Sequence, residues 1–327
     1  MNLARLLREI ARSETPPEDM DPLTAAELFG RMLDGGLPEL ELGAVLMALR
    51  MKTETAGELL GFSDALSSRM QRIAVPAQGP RTVVIPSYGG GLSQPNLLPL
   101  LALLLRRAGV PVLIHGQLEG HGRVASAYVL RELGVMPCAD AEQAGAALAS
   151  GGIAFVPLGV IAPGLAQLVA LRGRIGVRTC AQAVAAMMDA ADGESLRLVP
   201  VSEGAHRARF GHALQAASAH ALLADATEGE AFANPRRRPR IEFHCEGAVQ
   251  TLFEREHIER EDEATASLTP DARATAAYVQ RAIDGQASVP MPIVNQLAAC
   301  LYASGYASDF NEAKAVAAVQ ARTHALA

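Results

Sequence analysis

Three short segments carry residue types suited to holding an anion. Ser87-Tyr88-Gly89-Gly90-Gly91 follows a β-branched run and precedes an apolar helical pattern. Consecutive glycines let successive backbone N–H groups face one anion, although a plain strand-to-helix turn uses the same residues. Neither the dinucleotide fingerprint nor the Walker spacing is present. His115-Gly116 closes the next apolar run, with Glu119, Gly120, His121, Gly122 and Arg123 after it. Strand carboxyl ends are where open α/β sheets take ligands. His115 and His121 do not define a metal site, because no third ligand is close in sequence and the spacing is not a standard one. In the third segment Arg172, Arg174 and Arg178 are interrupted by Gly173 and Gly176. Forked guanidinium donors there suit a carboxylate or phosphate, or else simply favour the negative pole of a helix end.

Two further clusters are basic. Arg236, Arg237, Arg238 and Arg240 put four charges into five residues next to Pro235 and Pro239. Flanking prolines hold such a run extended, so its guanidiniums could follow a phosphate backbone. His206, Arg207, Arg209 and His212 fall on one predicted helix, with i, i+3 neighbours. Against nucleic-acid binding stand a net charge of -6, six carboxylates between Glu254 and Glu263, and only 4% aromatics for base stacking. A solvated loop is the alternative for the arginine run. Of 29 basic residues in the 327, only Lys52 and Lys314 are lysine, so the cations are fixed, planar guanidiniums.

The elements that must position these groups change character along the chain. Leu3, Leu6, Leu7 and Ile10 follow a one-sided helical stripe. Thr24 is placed to cap a second helix with Leu28, Phe29, Met32 and Leu33, stopped by Gly35-Gly36. Pro38 opens a third helix, and Thr55 with Glu58 has capping-box spacing for a fourth. From about residue 75, short apolar runs (83–85, 110–114, 153–156, 196–201, 221–224) alternate with helix-length segments, which predicts a mostly parallel sheet. After Pro270 the chain returns to helix. The expected division is a small helical domain over 1–72, helped by helices around 165–190, and a larger α/β domain over 73–327. Half the residues are hydrophobic and a fifth charged, which excludes wholesale disorder. Cys138, Cys180, Cys245 and Cys300 form no CxxC pair, so a reducing, cytoplasmic setting is expected. No signal peptide is read, and the most apolar stretch, Leu97 to Leu105, is far short of the roughly 20 residues of a membrane span.

In this order the three segments resemble the signature of anthranilate phosphoribosyltransferase and the wider nucleoside phosphorylase/phosphoribosyltransferase family. The glycine loop matches at Gly89 and Gly90, followed by Asn96, then His115-Gly116. Ser126, Ala127, Leu130, Leu133 and Gly134 match the next helix, and Pro163, Arg172, Gly176, Arg178 and Thr179 the last motif. The start (Leu49 to Glu54, Glu58, Gly61) and the end (Asn295, Ala303, Gly305, Glu312) fit as well. The resemblance implies a helical domain on an α/β domain. It marks Gly89, Gly90, Asn96, His115 and Gly116 as remnants of a phosphoribosyl pyrophosphate site, and Arg172 and Arg178 as remnants of an acceptor or anion site.

The departures remove specific chemistry. Gly91 stands for the loop aspartate, and Leu97, Leu98 and Pro99 replace the hydroxyls that follow Asn96. Ile114 and Leu118 replace a lysine and an arginine, Gln117 an asparagine, Ala162 and Ala166 a histidine and a lysine, and Tyr128 an acidic residue that handles magnesium. Only Glu228 and Glu230 echo the acidic metal pair. Each lost charged hydrogen bond costs about 1.5–3 kcal/mol, so ordinary phosphoribosyl transfer is not expected. Thr227-Glu228-Gly229-Glu230 and Asn234-Pro235-Arg236-Arg237-Arg238-Pro239-Arg240 resemble a branch of DNA-binding paralogues. That likeness implies a homodimer, held largely by its helical domain, binding nucleic acid without sequence preference through Arg207, Arg209, Arg236, Arg237, Arg238 and Arg240, with no catalytic residue, cofactor or metal. The alternative is a transferase with anthranilate or a changed acceptor, which would need magnesium.

Overall fold

The computed structural model describes residues 2–11, 18–202, 204–257, 265 and 268–322. Four helices open it: α1 (Leu3–Ile10), α2 (Pro22–Leu33), α3 (Glu39–Lys52) and α4 (Ala56–Ser67). The stripe on α1 buries Leu6 and Ile10, and α2 buries Leu28, Phe29, Met32 and Leu33. The cap of α2 differs from the sequence expectation. Asp21, not Thr24, accepts the N–H groups of Leu23 and Thr24, and the Thr24 hydroxyl donates to Asp21 at 2.6 Å. Pro22 makes this earlier start favourable, since its missing N–H is one that the first turn would leave unpaired. The Thr55–Glu58 capping box closes in both directions. Glu58 is fully buried and also accepts from Lys52 Nζ at 2.9 Å, while Lys52, only 2% exposed, reaches Asp19 at 2.7 Å.

The chain then alternates strand and helix: β1 (Ile73–Ala74), β2 (Thr82–Ser87), α5 (Leu98–Arg107), β3 (Val112–Gly116), α6 (Ser126–Glu132), α7 (Ala141–Ala149) and β4 (Ile153–Pro157). Next come α8 (Leu158–Ile161), α9 (Pro163–Ala170), α10 (Arg172–Ile175), α11 (Cys180–Met187), β5 (Ala191–Asp192), β6 (Ser195–Val201), α12 (Ala205–Ala216) and β7 (Ala221–Asp225). Four strands close the series: β8 (Arg237–Arg238), β9 (Ile241–Cys245), β10 (Ala248–Phe253) and β11 (Glu256–His257). Helices α13 (Ala272–Ile283), α14 (Met291–Ala303) and α15 (Phe310–Arg322) end the described chain. A seven-stranded sheet runs β10-β9-β7-β6-β2-β3-β4. Its five parallel strands are the five apolar runs of the sequence. Burial on both faces explains why those runs do not alternate with polar residues. Val83 and Ile85 pack with α5, α13 and α14 on one face, while Val84 and Leu113 pack with α7, α9, α11 and the N-terminal helices on the other.

The antiparallel pair β9–β10 was not read from the sequence. Its two-residue turn, Glu246-Gly247, has positive φ at both positions, which matches the right-handed twist of a hairpin. The arginine run is extended only in part: Arg237 and Arg238 form β8, which pairs antiparallel with β11, while Pro235 and Arg236 lie in a turn closed by Arg237 N on the Asn234 carbonyl. The acidic run is described only to His257, and its remainder lies outside the described residues. All four cysteines are free, and three are buried. Among the described residues, no helix is long and apolar enough to cross a membrane.

Candidate anion-binding cleft

The parallel register sets Ser87 beside Gly116 at the carboxyl ends of β2 and β3. A Cβ on Gly116 would lie 2.2 Å from the Ser87 carbonyl oxygen, so only glycine permits this approach. His115 is fully buried, bonds the Tyr88 hydroxyl through Nδ1 at 2.8 Å, and is pushed down to about 3 by burial. It is therefore a neutral core group that positions Tyr88. Asn96 is equally enclosed: Nδ2 donates to the Val124 carbonyl and the Ser126 hydroxyl, both at 3.0 Å, and Oδ1 accepts from Leu98 N. The loop does not feed straight into a helix as expected, because residues 92–97 separate Gly91 from α5.

The donors of the glycine loop are taken by the protein's own carboxylates. Glu230 Oε1 accepts from Gly89 N at 2.9 Å, Gly90 N at 2.6 Å and the Ser87 hydroxyl at 3.2 Å. Glu228 accepts from Leu92 N at 2.6 Å, Ser93 N at 3.0 Å and the Ser93 hydroxyl. These two groups titrate in opposite directions. Burial opposes ionisation of Glu228, but the amides of Leu92, Ser93 and Gln94 with the Ser93 hydroxyl outweigh it and hold the carboxyl below its ordinary range. Glu230 is deeper, and burial pushes it up to about 7 against the pull of Gly90, Gly89, Ser87 and Arg178. Its Oε2 is buried without a hydrogen-bond partner among the described residues, which leaves a place for the proton.

Around this loop guanidiniums from four elements converge. Arg123 and Arg172 line a cavity of about 300 Å³ with Gly89, Gly90 and Gln117. On the other side of Tyr88, Arg50, Arg178, Glu54 and His206 line a second cavity of about 230 Å³. Arg123 donates to the carbonyls of Gly90 and Glu228, both at 3.2 Å, and Arg178 donates to the Glu228 carbonyl at 3.2 Å. Among the described residues, Arg50 and Arg172 have no hydrogen bond or ion pair through their side chains. The Arg178 pKa is lowered by burial first, then by repulsion from Arg172, Arg123 and Arg50, so the four charges sense one another. A cluster held together against its own repulsion favours an anionic ligand.

The arginines of α12 and β8 are differently employed. Arg207 is 13% exposed and bonds Asp225 at 2.8 Å and Glu242 at 2.5 Å. Arg209 donates to the Glu54 carbonyl oxygen and contacts His206 Nδ1. Arg238 pairs with Glu256 at 2.6 Å, and Arg240 with Glu242 at 2.8 Å. Arg236 is exposed on the same segment, and Arg237 is half-buried. Arg207 thus serves carboxylates that sit on neighbouring strands and are invisible in the linear pattern, while the i, i+3 pair His206 and Arg209 does meet. Arg50 was not singled out as a site residue, and Arg123 was named only as part of the segment after His115-Gly116. They come from the end of α3 and the β3–α6 loop, and only the fold brings them together. A magnesium site of the kind the resemblance implies does not fit, because Glu228 and Glu230 face loop amides. Among the described residues, no three His, Cys, Asp or Glu side chains converge.

A helical bundle set on an α/β sheet, with a glycine loop at the strand ends, defines a glycosyl-transferase class. The model of the glycosyl transferase family, helical bundle domain, matches residues 4–70. The chain belongs to the anthranilate phosphoribosyltransferase-like family. It is 30% identical over 312 residues to the anthranilate phosphoribosyltransferase of Anaeromyxobacter dehalogenans (strain 2CP-C), covering 92% of this chain and 90% of that protein. It is 36% identical over 316 residues to the uncharacterized protein YbiB of Escherichia coli (strain K12), covering 95% and 97%. The crystal structure of the Thermus thermophilus anthranilate phosphoribosyltransferase superimposes with a TM-score of 0.80 at 23% identity, over 99% of this chain and 95% of that one.

Proposed function

We propose that this chain is a non-enzymatic, cytoplasmic homodimer that binds nucleic acid without sequence preference on a phosphoribosyltransferase scaffold. The observation that carries the reading is the gathering of Arg50, Arg123, Arg172 and Arg178 around one glycine loop, in two cavities that share Tyr88, with the loop amides already satisfied by Glu228 and Glu230. Such a cleft attracts phosphates by charge, while the amide cradle that would grip a free diphosphate is filled. Phosphate contacts of this kind position a strand without reading its bases. Arg236 to Arg240 would extend the track as a rim, with Arg236 its most exposed member. A second copy has a place to dock: Leu40, Ala44, Met47 and Met51 form an exposed stripe at i, i+4, i+7 and i+11 along α3.

Titration of single- and double-stranded DNA across a salt series tests the proposal. Affinity should fall steeply with salt, because bound phosphates release counterions. A flat salt response would end it. The rival reading, a transferase with a changed acceptor, draws on the full-length likeness to anthranilate phosphoribosyltransferases. Saturable calorimetric binding of phosphoribosyl pyrophosphate with magnesium would favour that rival.

A further inference from the structure

We infer that Glu228 and Glu230 are specificity-determining residues. They act as built-in carboxyl groups seated in a glycine loop that is still shaped to bind phosphoryl oxygens, and so exclude small phosphorylated ligands from the cleft. Five donors at the strand end support this. The amides of Gly89 and Gly90 point at one Glu230 oxygen and those of Leu92 and Ser93 at the Glu228 carboxylate, with the Ser87 hydroxyl completing the set. Amides converging on one point form an anion-binding nest, whatever anion fills it. Here each carboxylate stands where a phosphoryl oxygen could sit.

The turn that delivers them is built for close seating. Thr227 and Glu230 exchange backbone hydrogen bonds at 3.1 and 2.8 Å, and the Thr227 hydroxyl is anchored on the Phe232 carbonyl. Glu228 and Gly229 both adopt positive φ, a strained choice for glutamate that the surroundings must hold in place. Gly229 lies so near the loop that a Cβ on Gly89 would come within 2.6 Å of its carbonyl carbon. Arg123 fastens both partners from behind, donating to carbonyls of the loop (Gly90) and of the turn (Glu228). The loop and the turn are therefore one assembled unit, not two segments that happen to touch.

Calorimetry with inorganic pyrophosphate, without metal or nucleic acid, tests the inference on the full chain. Wild type should give no saturable heat at millimolar pyrophosphate. Glu228→Ala with Glu230→Ala should bind it, at least about tenfold more tightly than any wild-type limit, because a closed fraction no longer subtracts from the competent state. Glu228→Ala alone, at a partly exposed position, should give a smaller gain and keeps the test open if the double variant does not fold. Slower amide exchange over residues 87–94 on adding pyrophosphate would place the ligand on the loop. A folded variant that still fails to bind, or wild type that binds equally well, overturns the inference. Neither result depends on whether the protein binds DNA.

Discussion

If the cleft grips phosphates, its uncommitted arginines should govern the salt dependence of binding. Arg50 and Arg172 are the informative pair, because nothing among the described residues holds their guanidiniums and removing them should leave the fold intact. With four cleft arginines each neutralising one phosphate, their contribution to the slope of log K against log salt is about −3.6. Arg50→Ala with Arg172→Ala should halve that contribution to about −1.8. Between 50 and 200 mM salt the cleft's share of the affinity loss then falls from about 150-fold to about 12-fold. Fluorescence anisotropy with a labelled duplex at four salt concentrations resolves such a change. Arg207→Ala is the control: that guanidinium is spent on Asp225 and Glu242, so its loss should lower stability and leave the slope alone. An unchanged slope in the double variant, or an equal flattening in the control, would refute the assignment of phosphate contacts to the cleft.

Three further outcomes follow from particular contacts. Asp225, 4% exposed, holds Arg207 and, through both oxygens, Arg255, so Asp225→Asn should cost about 3–5 kcal/mol in denaturant melts. Burial opposes ionisation of Asp225, but the hydrogen bonds from Arg255, the Arg240 amide and Arg207 leave its pKa below the ordinary value. Its contribution is therefore present above the unfolded carboxylate range of about 3.9 and lost as pH falls through the lower folded value, so the gap between wild type and variant should close there. Gly116→Ala forces a Cβ onto the Ser87 carbonyl and should lower stability by about 1–3 kcal/mol, read as a fall in melting temperature. If the proposed homodimer forms through the exposed stripe of α3, Met47→Glu should shift sedimentation toward the monomer while leaving circular dichroism unchanged; a dimer that persists in the variant would refute that interface.

The parallel core was legible because strands buried on both faces must be continuously apolar, and 83–85, 153–156 and 221–224 are. The Thr55–Glu58 box was legible because its spacing is its mechanism. The start of α2 was misread by three residues, since Asp21 and Thr24 are both good caps and Pro22 decides between them. The hairpin β9–β10 escaped because β10 is largely exposed and its turn signal, Glu246-Gly247, is weaker than Asn-Gly. The cleft was half visible. Gly89, Gly90, Arg172 and Arg178 were named from local pattern, but the seating of Glu230 against residues 140 positions earlier depends on strand order, which no spacing encodes.

The near absence of lysine has a chemical consequence at the surface. Lys52 is enclosed between Asp19 and Glu58, and Lys314 lies over the Phe310 ring, 4.4 Å from its centroid. Side-chain amines are the targets of acyl donors and of common cross-linking esters, and guanidiniums are not. The cationic character of this cleft is therefore closed to adjustment by lysine acylation. Mapping its contacts calls instead for dicarbonyl reagents that add to arginine, or for carbodiimide coupling at carboxylates.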